Sequence, residues 1–223
     1  DVNTGQPLEA MVLVHQVPMP VFTDPLAGDY HRALQAGTYD ITVWANGYAP
    51  ATVTNIAVAS EDVTVRNVQL SPNYAHYAMQ VAWTTIDDYY ESNSANWPNY
   101  MWPHNALGPA DYVPGSLGEN CVFTFDMGAG FEIEDLPGND MIVYEAASAG
   151  DGDEGCQVYG SSGGFLGPWV LIGTANGTTE FDLSGTGLAT VRYIKIEDDD
   201  NGSPSGNFPG YDLDAIGALS APE

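Results

Sequence analysis

The sequence predicts an all-β fold built as two consecutive β-sandwiches, and three observations carry that prediction. Runs of alternating apolar and polar residues recur along the chain, no stretch holds a 3.6-residue helical period, and 25 glycines and 15 prolines punctuate segments rich in Tyr, Thr and Val. Alternation at period two is the pattern of a half-buried strand, and Gly/Pro clusters at short intervals mark the turns between strands.

The first unit is read as residues 1–72. Thr38 to Ala45 places Tyr39, Ile41 and Val43 on one face of a strand, Asn46-Gly47 makes the turn, and Ala51 to Val58 returns. Val63 and Val65 share one phase while Val68 and Leu70 fall on the other, so a strand there needs a bulge near Arg66-Asn67. About 70 residues is close to the lower limit for an independent core. His31 and Arg32 read as polar packing at a strand end. Ser71-Pro72-Asn73 is a breaker, and the second unit is read as residues 73–223.

In that unit strands are expected at Ala78–Thr85, Asn120–Met127, Met141–Glu145, Gln157–Ser161, Trp169–Ile172, Thr179–Asp182, Val191–Glu197 and Asp212–Leu219. Cys121, Phe123, Phe125 and Met127 share one apolar face, and Ile194 and Ile196 another. Such a set, with Gly-rich turns and no helix, suggests a jelly roll or a related two-sheet sandwich.

Charge narrows the partners. Thirty acids stand against four bases, Arg32, Arg66, Arg192 and Lys195, for a net charge of −26. No basic footprint exists for nucleic acid, and anionic membrane surfaces are disfavoured. No apolar run approaches the roughly 20 residues of a membrane helix. The first unit holds seven acids and two bases, so most of the excess belongs to the second.

Acids also mark the candidate site. Glu197 to Asp200 opens a loop that closes on Asp212 and Asp214, which share one face of a strand about 7 Å apart. Carboxylates so crowded call for a cation, and Ca²⁺ takes about six to eight oxygen ligands in loose geometry. The expected ligands are Asp140, Glu145, Asp212 and Asp214, with Asp198, Asp200 and Asp111 as second choices; the competing reading is acids that cap turns. Cys121 and Cys156 are a candidate disulfide of an exported domain, or small buried residues. Asn176 and Asn201 begin glycosylation sequons. Among the aromatics between Trp83 and Trp102, Trp97, Tyr100 and Trp102 are candidate contacts to a glycan or protein partner, or a buried loop.

Catalytic motifs are weak. No histidine starts a His-x-x-Glu metal pair, and Gly160-Ser161-Ser162-Gly163-Gly164 matches a nucleophile elbow but is followed by Gly167-Pro168 and a strand rather than a helix. A hairpin is the expected structure there.

Two resemblances add to this reading. TGQPLEAMVLV (Thr4–Val14), FTDPLAGDYHRAL (Phe22–Leu34), AGTYDITVWANGYAP (Ala36–Pro50) and VRNVQLSP (Val65–Pro72) resemble the carboxypeptidase regulatory-like domain, a transthyretin-like sandwich that follows bacterial and archaeal secreted zinc carboxypeptidases. NALGPADY (Asn105–Tyr112), LPGNDMIVYEAA (Leu136–Ala147), CQVYGSSGG (Cys156–Gly164), LATVRYIKIEDDD (Leu188–Asp200) and PGYDLDAIGAL (Pro209–Leu219) resemble a calcium-associated jelly-roll domain of exported proteins, distantly similar to discoidin-like and carbohydrate-binding sandwiches.

These resemblances imply a non-catalytic, extracellular or cell-surface accessory or adhesive region stabilised by Ca²⁺. Members of the first family start with an extra strand before the TGxPL turn, whereas this sequence starts at Asp1, almost at that turn, and without a methionine. It reads as a processed or excised piece, with either a cut there or a strand supplied by a neighbouring domain or a second copy. The alternative function is therefore a structural subunit of an extracellular filament or surface assembly. Carbohydrate binding is the third reading.

Overall fold

A computed structural model describes residues 1–15, 17, 19–72, 76–85, 102–118, 121–146, 154–199 and 210–219. Trp97, Tyr100, Asp200 and Asn201 lie outside the described residues. Among the described residues the regular structure is β-strand apart from one short 3-10 turn, Pro103–Ala106, and every strand pairing is antiparallel. It divides into two compact units, Asp1–Ala75 and His76–Glu223.

Unit 1 has one four-stranded sheet. Its strands are β1 (Met11–Val14), β2 (Val21–Phe22), β3 (Gly37–Trp44) and β4 (Ala51–Val58), in the order β2-β1-β3-β4. Val12, Val14, Ile41, Val43 and Ile56 bury one face together with Ala10 and Leu70. The other face is polar near its centre, where the Thr42 hydroxyl bonds to Thr52 Oγ1 at 2.9 Å and His15 Nε2 at 2.8 Å. A bulge interrupts β3–β4 pairing between Tyr39 and Ile41, and the Asp40 carboxylate accepts the N–H of Asn55 across it at 2.7 Å. The strand expected at 63–70 is absent. Those residues run outside every sheet, and Val63 and Val65 are 82% and 74% exposed.

Unit 2 carries the remaining strands. One sheet comprises β5 (His76–Tyr77), β7 (Gly115–Ser116), β10 (Met141–Glu145), β13 (Thr179–Phe181) and β16 (Asp212–Ala218). The other runs β12-β11-β15-β8-β6 through β6 (Gln80–Thr85), β8 (Val122–Asp126), β11 (Gly155–Ser161), β12 (Val170–Asn176) and β15 (Tyr193–Asp198). A small ladder joins β9 (Ile133–Glu134) to β14 (Thr190–Val191). Phe123, Phe125, Val158, Ile194 and Ile196 are fully buried on one face of the second sheet, as their shared phase requires. Each such side chain contributes about 1.5–3 kcal/mol relative to exposure. Strand β16 lies between β10 and the β5/β7 pair and is buried along both faces, which takes Asp212 and Asp214 out of water.

Candidate functional site

An opening in unit 1 lies over the buried face of its sheet. It is a groove of about 1180 Å³ whose floor includes Val14, Ile41, Val43 and Ile56. Its two rims are the extended segments 30–36 and 62–70. Neither segment belongs to a sheet, and residues 64–69 and 33–35 make no backbone–backbone hydrogen bond among the described residues. Leu34, Tyr30 and Val68 pack against the core from the rims, and the Gln35 carbonyl accepts a hydrogen bond from the Tyr39 hydroxyl at 3.1 Å.

The rims face each other across a defined gap. The Tyr30 hydroxyl donates to the Arg66 carbonyl oxygen at 3.2 Å. Burial pushes the Tyr30 phenol above its ordinary value, and the Arg66 guanidinium opposes that shift. Neither Tyr30 nor Arg66 stood out as a functional residue in the sequence; the signal available was the alternation of Val63, Val65, Val68 and Leu70 without a partner strand.

In unit 2 the acids expected as metal ligands fall in separate places. Asp140 is fully buried, and its two oxygens accept the N–H groups of Leu136 at 2.8 Å and Leu183 at 2.7 Å. Among the described residues, Asp135, Asp140 and Asp182 are the one group of three whose ligand atoms lie within 4.8 Å of one another. Asp214 accepts the N–H groups of Asp111 and Tyr112, each at 3.1 Å, and holds Tyr112 in a left-handed conformation at φ 66°. Burial raises the Asp214 carboxyl above its ordinary value, and those backbone donors pull it back. Asp111 accepts from Val113 N–H at 2.9 Å, and Asp212 accepts the hydroxyl proton of Ser116. Capping explains most of these carboxylates.

Glu145 and Asp198 do converge, with Asp199. All three raise the Cys156 thiol, though burial is the larger cause. Asp198 accepts Tyr211 N–H at 2.9 Å and stands against Gly210, where a Cβ would lie 2.6 Å from Asp198 Oδ2. Asp199 covers Gly155 in the same way, and Glu145 Oε2 faces Gly177. The Tyr211 hydroxyl donates to the Gly177 carbonyl at 3.0 Å, closing the cluster.

The disulfide does not form; Cys121 and Cys156 are both buried thiols. Cys156 pairs with Asp198 across β11 and β15, and the Asp198 N–H donates to the Cys121 carbonyl from the other side. Two strand spacings, about 9.6 Å, separate them, beyond the roughly 7 Å limit between bridged Cα atoms. Ser161 ends β11 and its hydroxyl oxygen accepts the N–H groups of Gly163 and Gly164, so the Gly-Ser run is a hairpin turn. Asn176 is exposed at the β12–β13 turn. Trp102 is half-buried beside His104, with ring centroids 6.4 Å apart.

No family model matches the chain. It is 42% identical over 72 residues, 32% of its length, to Carboxypeptidase D of Anas platyrhynchos. The chain spans about 5% of that relative's length. Among solved structures it is similar to the CBM32 of AlyQ in complex with 4,5-unsaturated mannuronic acid, at a TM-score of 0.34 and 18% identity, over 66% of this chain and 100% of that one. Truncated AlyQ with CBM32 and alginate lyase domains gives 0.35 and 18%, over 67% and 34%. What each unit does is therefore argued from its own residues.

One row of residues and one ion pair were not singled out by sequence. On the outer face of the five-stranded sheet containing β15, Trp83, Thr124, Lys195, Tyr159 and Leu171 lie side by side across five strands. The Lys195 ammonium sits 3.8 Å from the Tyr159 ring centroid and 2.7 Å from Glu197 Oε2. Beside it, Arg192 makes a two-pronged ion pair with Asp126 at 2.8 and 2.9 Å. Their alternation was legible, but which strands are neighbours was not.

Proposed function

We propose that this protein is a non-catalytic, extracellular structural region that joins chains together by accepting a donated β-strand in the groove of unit 1. The carrying observation is the pair of extended rims that belong to no sheet among the described residues, over an apolar floor. Backbone groups on both rims want hydrogen-bond partners, and alternate side chains of one strand fill an apolar trough between them. β-Augmentation supplies both at once. The partial match to Carboxypeptidase D supports the resemblance to the carboxypeptidase regulatory-like module. Native mass by light scattering across a concentration series tests the reading. Mass rising above the 23.7 kDa monomer is expected; a monomer at every concentration contradicts it.

Ca²⁺ belongs to unit 2 in this reading. Asp135, Asp140 and Asp182 would hold it, because their ligand atoms lie within 4.8 Å of one another and a hard cation would neutralise them. An ion bound only by the native state stabilises it by mass action. Chelation with EDTA should lower the unfolding temperature of unit 2, and Asp182→Asn should abolish that response.

A second reading, glycan binding by unit 2, is favoured by the row from Trp83 to Leu171. Trp83 and Leu171 are 47% and 51% exposed, and between them the buried Thr124 hydroxyl has no hydrogen-bond partner among the described residues. Glycan-array binding lost on Trp83→Ala would support it, and an array with no hits would remove it.

A further inference from the structure

Beyond β4 the chain of unit 1 presents a peptide bond in the form a protease binds. Residues 62–70 run extended outside every sheet, and residues 64–69 make no backbone–backbone hydrogen bond among the described residues. From Asp62 to Asn67 every residue is exposed, Val63 and Val65 at 82% and 74%. An endopeptidase takes its substrate as an added strand, extended and free on both sides of the bond it cuts. Bonds inside a folded sheet reach that state through local unfolding. The bond between Arg66 and Asn67 is in it already.

The chain has four Lys/Arg residues, so a base-specific endopeptidase has four bonds to choose from. Lys195 lies inside β15, which is paired on both sides. Arg192 is held by Asp126, and its backbone N–H donates to the Ser161 carbonyl. Arg32 is half-buried and makes an interaction of its own, and Tyr30 and Leu34, two residues to either side, pack against the core. Arg66 is exposed, with an exposed residue before it and after it.

We infer that Arg66–Asn67 is a cleavage site for an arginine-specific endopeptidase that acts on the folded protein. The inference goes beyond strand acceptance and does not depend on it. The guanidinium fork matches a carboxylate at the base of such an enzyme's specificity pocket. Water supplies the atoms of the reaction. Its oxygen joins the Arg66 carbonyl carbon, the bond to the Asn67 nitrogen breaks, and the protons leave an Arg66 carboxylate and an Asn67 ammonium group. A contact within unit 1 opposes the cut. The Tyr30 hydroxyl donates to the Arg66 carbonyl oxygen at 3.2 Å, and that oxygen has to enter the protease's oxyanion hole. Tyr30 is therefore a brake on cleavage.

The cut separates residues 1–66 from 67–223. A short clasp then links the two pieces within unit 1. Leu70 is buried, its carbonyl accepts the Val2 N–H at 2.9 Å, and the Ser71 carbonyl accepts the Ala49 N–H at 2.9 Å. Cleavage thus replaces a covalent connection by a few contacts.

The test digests the intact protein with trypsin at a low ratio and reads the products by mass spectrometry. A free peptide of residues 60–69 is digested alongside as the unstructured reference. The first cut is expected between Arg66 and Asn67, at a rate within about a hundredfold of the peptide's, because no unfolding step precedes it. Tyr30→Phe should raise that rate about two- to tenfold, the worth of one net hydrogen bond. Arg66→Gln should remove the early cut, and adding Val65→Arg to it should restore one a single bond upstream. Residues 65 and 66 are exposed and outside every sheet, and circular dichroism checks that the variants fold. A first cut after Arg32, Arg192 or Lys195 would overturn the inference. So would a cut at Arg66 slower than about a hundredfold below the peptide's rate, the mark of a bond that has to unfold first.

Discussion

The Tyr30 hydroxyl donates to the Arg66 carbonyl at the mouth of an apolar groove, and among the described residues neither segment it links belongs to a sheet. That single bond holds at side-chain length what a sandwich normally holds with a strand. It also occupies a carbonyl that an incoming strand would use. Tyr30→Phe keeps the ring in the core and frees the acceptor. A net hydrogen bond is worth about 0.5–1.5 kcal/mol, so a peptide of alternating Val and Thr should bind roughly two- to tenfold more tightly to the variant by calorimetry. Unchanged or weaker binding would mean that the phenol does not compete with a strand.

Asp140 tests whether a buried carboxylate in unit 2 is structural on its own account. Its oxygens satisfy the N–H groups of Leu136 and Leu183, tying two turns together. Asp140→Ala leaves both donors without that acceptor and should cost about 2–5 kcal/mol in urea unfolding. Asp140→Asn keeps one acceptor oxygen and should cost distinctly less. Equal losses would point to the charge itself, and so to a cation at Asp135, Asp140 and Asp182.

Buried histidines set an acid limit. His76 packs edge-on against Phe131, and burial lowers both His76 and His104 below the ordinary histidine value. The unfolded chain then binds more protons than the folded one as pH falls through about 6.5. The stability they permit is present above that value and is lost below it. Burial raises Asp214, which works in the opposite sense: the cost of its ionised form disappears as pH falls through its folded value. Calorimetry from about pH 7.5 down to about pH 5.5 should show unit 2 losing stability, and a His76→Phe, His104→Gln variant should flatten the curve. A wild-type curve already flat over that range would contradict the account.

Arg192 and Asp126 make a two-pronged ion pair. The side chains are 33% and 12% exposed, and the Asp126 hydrogen bond raises the guanidinium further above its ordinary value. Asp126 also accepts the Gly128 N–H at 2.8 Å. Arg192→Lys forfeits the two-pronged geometry, and a loss of about 1–2 kcal/mol is expected, less at high salt if the charge dominates. No loss would place the pair with ordinary surface ion pairs.

Much of the architecture was legible because alternation is local. Tyr39, Ile41 and Val43 share a face as their spacing demanded, and so do Phe123, Phe125, Ile194 and Ile196. Eight expected strands of the second unit find counterparts within a few residues, while two-residue strands such as Gly115–Ser116 are too short to show a period. The site was less legible. Asp212 and Asp214 share a face, but what they bind depends on Ser116, Asp111 and Tyr112, about a hundred residues away. Cys121 and Cys156 looked bridgeable until Asp198 fell between them. At 63–70 the alternation is present and the partner is not, so a correct local signal met a missing tertiary one.

Backbone exchange at residues 64–69 is the most direct measure of the central claim. With no backbone–backbone hydrogen bonds among the described residues, those amides should exchange rapidly in the monomeric protein, and assembly should slow them strongly. Slow exchange in the free monomer, or rates that assembly leaves unchanged, would contradict strand acceptance.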